Sequence, residues 1–143
     1  MREGAEFADV NLSSAQIEGQ LDMTRAKVTG TLNMDSTSIG SDLFMSEGAE
    51  FAEVILRAAK IGGQLDMTRA KVTGTLNMDA ASIGSDLFMS EGQFTQPIEI
   101  FFAKIGGNMD LRGATLARAR PDRGAGRRRV ASDFALMATD LGR

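Results

Sequence analysis

Large apolar residues return every eleven positions from residue 10 to residue 116. One column reads Val10, Leu21, Leu32, Leu43, Val54, Leu65, Leu76, Leu87, Ile98 and Met109. A second, two residues further on, reads Leu12, Met23, Met34, Met45, Leu56, Met67, Met78, Met89, Ile100 and Leu111. A third column holds small residues such as Ala15, Ala26, Ala59, Ala70 and Ala81, and a fourth holds Ile17, Val28, Ile39, Ile61, Val72, Ile83, Phe94, Ile105 and Leu116. A short fixed period with large apolar residues in phase implies a solenoid, whose turns bury their cores against one another.

Within each period the inward residues come in pairs two apart, as in Ala26 and Val28 or Leu32 and Met34. Residues i and i+2 share one face of an extended segment and the residue between them points away, so each pair is a short strand. The steps between pairs alternate between five and six residues, and each step is a corner. Two units would close a thin coil of eleven residues, and four a square coil of 22. Stacked Leu, Met, Ile and Phe need the wider lumen. A 22-residue pattern also lies over the eleven: Ile17-Glu18-Gly19-Gln20, Ile39-Gly40-Ser41-Asp42, Ile61-Gly62-Gly63-Gln64, Ile83-Gly84-Ser85-Asp86 and Ile105-Gly106-Gly107-Asn108. The pattern predicts an all-β parallel helix, a quadrilateral solenoid of about five coils of 22 residues, roughly 24 Å long at a strand spacing near 4.8 Å. Phe7 and Phe51 fall one residue out of register, which predicts a local corner change or bulge.

Units such as Ala49-Glu50-Phe51-Ala52-Glu53, Ala70-Lys71-Val72-Thr73-Gly74 and Ala103-Lys104-Ile105-Gly106-Gly107 resemble pentapeptide-repeat proteins. The resemblance covers roughly residues 4–118 and implies a right-handed quadrilateral β-helix. Two departures stand out. Every second unit has six residues, and alternate units place Leu21, Leu32, Leu65 or Leu76 at the first inward position.

Residues 21–35 and 65–79 are identical, and residues 39–48 repeat as 83–92. A two-coil block has been copied almost verbatim, which nearest-neighbour stacking permits without a new fold. The opening Met1-Arg2-Glu3-Gly4-Ala5-Glu6-Phe7 matches residues 45–51, so the chain starts inside a repeat. A bare solenoid end exposes strand edges and core, and a homodimer or a longer solenoid would cover it. Beyond Leu116 the register dissolves. The reading is two regions: a solenoid over residues 1–118, and over residues 119–143 a basic linker followed by a short helix. Ser132 offers the helix an N-cap, Gly142 a stop, and Phe134, Met137 and Leu141 an apolar stripe for capping the last coil or for dimerisation.

Charge changes the picture, because the net −3 conceals two opposite parts. Residues 1–116 hold 9 Lys or Arg against 16 Asp or Glu, whereas residues 117–143 hold 7 Arg against 3 Asp. The chain has no Cys, His, Trp or Tyr, which removes disulfides, thiolate and imidazole ligands, and Cys or His nucleophiles. Its acids lie outside the four apolar columns, where carboxylates keep ordinary acidity, so no enzyme activity, cofactor or metal site is expected. No apolar run reaches membrane-spanning length and no signal-peptide pattern opens the chain, so a cytoplasmic location is expected.

The outward position between each Leu and Met on one side reads Asp22, Phe44, Asp66, Phe88 and Asp110. Acids two coils apart stand roughly 9.6 Å from one another, too far to share a metal. With Phe101, this column is the candidate interaction surface, since exposed aromatic patches mark interfaces. Neither the Arg127-Arg128-Arg129 run nor the broken Thr columns form a continuous array, and no nucleic-acid or membrane partner is expected. The leading expectation is a non-enzymatic scaffold or protein-interaction module, with homodimerisation through the uncapped end or the C-terminal helix. Two alternatives stay open. The resemblance implies one, a DNA-mimicking binder of type II topoisomerase (gyrase); the other is a truncated repeat fragment without independent function.

Overall fold

The computed structural model describes residues 6–117. The helix expected around Phe134, Met137 and Leu141, and the linker before it, lie outside the described residues. Eighteen short parallel strands are present among those described, with no helix. Each strand pairs with the one about 22 residues later, so the chain winds as a β-solenoid of about five coils.

Each coil has four sides. The first carries Glu6–Phe7 and Lys71–Val72, and the second carries Val10–Asn11 and Leu76–Asn77. The longer strands Lys27–Asn33 and Glu50–Ile55 run across both, which joins these sides in one eight-stranded sheet. The third side stacks Gln16–Ile17, Ser38–Ile39, Lys60–Ile61, Ser82–Ile83 and Lys104–Ile105. The fourth stacks Leu21–Asp22, Leu43–Phe44, Leu65–Asp66, Leu87–Phe88 and Met109–Asp110.

Four apolar columns fill the lumen as the period predicts. Leu43, Leu65 and Leu87 stack in register on the fourth side, Ile39, Ile61 and Ile83 on the third, and all are buried. Phe51 and Phe94 widen the first side, where Val28 and Val72 stand between and below them. Thr37 is buried in the small-residue column, and its hydroxyl is satisfied by donating to the Leu12 carbonyl at 2.6 Å.

The irregularity at Phe51 is a corner change followed by a bulge. Lys27 and Val28 pair 23 residues ahead with Glu50 and Phe51, whereas Leu32 pairs 22 ahead with Val54. Gly48, at φ +88°, is the extra residue in the preceding corner, and the next corner is one residue shorter. Coil length is thereby restored and the apolar columns stay inside.

The two corners that follow the Leu-x-Met units share a turn. The Ala26 N–H donates to the Met23 carbonyl at 3.0 Å, and Ala59 and Ala70 repeat the bond to Leu56 and Met67. The third residue of each turn lies at positive φ: Ser14, Arg25, Ser36, Glu47, Ala58, Arg69, Ala80, Glu91 and Phe102, all between 56° and 61°. Gly113 takes the equivalent place at the last described corner. The left-handed region is normally left to glycine, so the stacked ladder must hold these turns.

Two stability measurements follow. Leu65→Ala empties a fully buried stack position in the central coil and is expected to cost on the order of 2–5 kcal/mol in chemical denaturation. Ala58→Gly relieves a left-handed alanine strained by about 1–2 kcal/mol while adding about 0.5–1 kcal/mol of backbone entropy. The same assay should show a net gain of about 0.5–1 kcal/mol.

Candidate surface-recognition faces

With the lumen filled, the chemistry lies in what each face shows outward. On the fourth side the strand register aligns Asp22, Phe44, Asp66, Phe88 and Asp110 in one column, one residue per coil. Phe44 and Phe88 are half-buried, their rings flanked above and below by carboxylates. The acids also have a structural task. An Asp Oδ1 accepts the N–H two residues ahead at each of these corners: Thr24 on Asp22 and Thr68 on Asp66 at 2.9 Å, Arg112 on Asp110 at 3.1 Å. On the second side Asn11, Asn33 and Asn77 make the same bond. A short acceptor side chain at this place closes the turn that the left-handed residue then completes.

These contacts tune acidity. The Thr24 hydroxyl and N–H hold the Asp22 carboxyl below the usual carboxylate range. Asp110 is lowered first by its hydrogen bonds from Arg112, whose guanidinium lies 2.7 Å away. At the corners beyond the second and fourth sides, ion pairs bridge neighbouring coils: Arg57 with Asp35 at 2.6 Å, and Arg69 with Glu47 at 2.9 Å and Glu91 at 3.0 Å. Such exposed pairs contribute little, because water and salt screen them.

Phe101 does not join the fourth-side column. It lies with Phe102 at the corner between the second and third sides, and the two are 59% and 89% exposed. Both rings are outward. The sequence-derived surface is thus two places: Asp22, Phe44, Asp66, Phe88 and Asp110 together, and Phe101 apart from them.

On the third side the glycines of the 22-residue pattern have a cause that the periodicity did not reveal. Gly40, Gly62, Gly84 and Gly106 follow the inward isoleucines in every described coil but the first, where Glu18 follows Ile17. A Cβ at any of them would overlap the carbonyl of the coil beneath: Glu18 under Gly40, Gly40 under Gly62, Gly62 under Gly84, Gly84 under Gly106. Glycine is required by this close backbone approach. It leaves a shallow groove of about 680 Å³ running along the rod. Beside the groove stand Gln16, Ser38, Lys60, Ser82 and Lys104, one from each coil.

At the corner between these two sides, carboxylates staple coil to coil. Asp42 accepts the Gln64 N–H at 2.9 Å and Asp86 accepts the Asn108 N–H at 2.8 Å. The residue preceding each donor is Gly63 or Gly107, where a Cβ would overlap the same carboxylate. Asp9, Gly30 and Thr31 repeat the device at another corner, with the Thr31 N–H 2.8 Å from Asp9. An Asp followed 21 residues later by Gly is the sequence signal for it.

No group of three acidic side chains that could hold a metal occurs among the described residues, and no described helix is long and apolar enough to cross a membrane. Asp66→Ala removes the turn acceptor and is expected to cost about 0.5–1.5 kcal/mol in urea unfolding, with Asp66→Asn nearly neutral. Because folding lowers the pKa of Asp22 and Asp110, the unfolded chain binds more protons than the folded one. Their stabilisation is therefore complete above the ordinary value near 3.8 and is lost as pH falls through the lowered ones. Urea midpoints should hold from pH 7 to about 5 and decline below about 4. Searches against protein-family models, curated proteins and solved structures found no match to this chain.

Proposed function

We propose that the chain is a non-enzymatic interaction module of pentapeptide-repeat type, whose flat solenoid faces dock a protein. The observation that carries this reading is the fourth side, where Phe44 and Phe88 are kept half-exposed on a rigid ladder between Asp22, Asp66 and Asp110. A position that needs only a turn-forming polar residue in one coil holds a large aromatic ring in the next. Half-exposed aromatics bracketed by charge have the character of an interface core with a polar rim. The ladder holds them in place before any partner arrives, which lowers the ordering cost of binding.

The test is affinity capture with the purified full chain, comparing wild type with Phe44→Ala/Phe88→Ala and with Asn77→Ala on the second side. At least one protein, the chain itself included, is expected to be enriched by wild type and by Asn77→Ala. It should be lost at least tenfold with the double variant, whose circular dichroism stays native. Failure of wild type to enrich any protein, or equal enrichment by all three baits, would overturn the reading.

A further inference from the structure

We propose that the grooved third side of one copy docks on the fourth side of a second copy, rod beside rod. The inference rests on the interaction-module reading and supplies its partner. The two faces are complementary coil by coil. The 44-residue block contains two coil types. In one, the third side shows Ser38 or Ser82 beside Gly40 or Gly84, and the fourth shows Phe44 or Phe88. In the other, the third side shows Lys60 or Lys104 and the fourth shows Asp66 or Asp110. The first described coil follows the second type, with Gln16 on one face and Asp22 on the other.

Laid face to face at the common strand spacing of about 4.8 Å, the two columns meet in register. Each aromatic ring falls over small residues and an open stretch of groove. Each carboxylate falls opposite an ammonium or an amide. Lys60 and Lys104 stand two coils apart, roughly 9.6 Å, and Asp66 and Asp110 are separated by the same distance. Because both columns come from one backbone, the match holds along the whole rod.

Three of the four charges are free for such a contact. Lys60 and Lys104 form no ion pair among the described residues. Asp66 uses Oδ1 for its own turn and forms no ion pair among the described residues, whereas Asp110 is held by Arg112 at 2.7 Å and would exchange that partner for Lys104 of the second copy. Complementary charge selects and orients the encounter, and covering Phe44 and Phe88 removes apolar surface from water.

The contact joins two different faces, so it is heterologous and adds copies head to tail, into a row or a closed ring according to the rotation between them. Assembly should therefore grow with protein concentration and weaken as salt screens the lysine–aspartate pairs.

The experiment is sedimentation velocity on the full chain from low to high micromolar concentration. Wild type is expected to sediment above its 15.3 kDa monomer mass, increasingly so with concentration. Lys60→Glu/Lys104→Glu and Asp66→Lys/Asp110→Lys should each lose assembly alone and regain it when mixed, because each then offers the face that the other lacks. The lysine pair is free of turn contacts and tests the contact even if the aspartate variant misfolds. Phe44→Ser/Phe88→Ser, with native circular dichroism, should also be monomeric.

A monomeric wild type, or assembly that survives Lys60→Glu/Lys104→Glu, would overturn the self-docking. So would a mixture of two folded charge variants that fails to reassemble. Should a different protein be captured through Phe44 and Phe88 while the chain stays monomeric, self-docking fails and the interaction-module reading stands.

Discussion

The close stacking of one coil's backbone on the next governs this molecule. Parallel ladders bind each strand to its copy about 22 residues away, and every other property must repeat at that interval or be accommodated. The apolar columns are the inward consequence, since a residue of the wrong size would break contact with neighbours above and below. Gly62 and Gly84 are the outward consequence, because the carbonyl beneath leaves no room for a Cβ. The left-handed corners belong to the same constraint: a non-glycine residue at φ near 60° persists where hydrogen bonds to the adjacent coil fix its neighbours on both sides.

Sequence alone showed what is periodic and apolar. Leu43, Leu65 and Leu87 fall 22 residues apart, and hydrophobic burial is insensitive to the details of the corners, so the solenoid and its coil length could be read from spacing. The displacement of Phe51 was visible for the same reason, as a one-residue error in a long count. The turn conformation was hidden. Left-handed residues usually advertise themselves as Gly or Asn, yet here Ser, Arg, Glu, Ala and Phe hold the place. Nothing local marks them, because the ladder rather than the residue imposes the conformation.

The candidate surface was partly legible. That Asp22, Phe44, Asp66, Phe88 and Asp110 share a column follows from the period. That the acids close turns depends on a side-chain geometry which spacing does not contain. Phe101 was grouped with them because it is aromatic and near an outward position, but its corner belongs to a different edge of the coil. The glycines of the groove were present in the sequence as Ile-Gly every 22 residues from Ile39, where they served only to mark the period. Their true cause is a carbonyl in another coil, a relation between residues far apart in the chain.

The carboxylate staple between Asp42 and the Gly63-Gln64 step has a bearing on how such a chain can change length. Coils bearing Ser-Asp at that corner accept a Gly-Gln or Gly-Asn coil above them. Two Ser-Asp coils in succession would drive a serine Cβ into the carboxylate. The order of coils is therefore constrained. Removing a Gly-Gln coil from between two Ser-Asp coils, or inserting a second Ser-Asp coil, leaves a clash at the seam, whereas two coils gained or lost together leave every seam as it was. The natural increment of this rod is thus the pair, 44 residues and roughly 9.6 Å of length, which is the unit that its own sequence has already copied once.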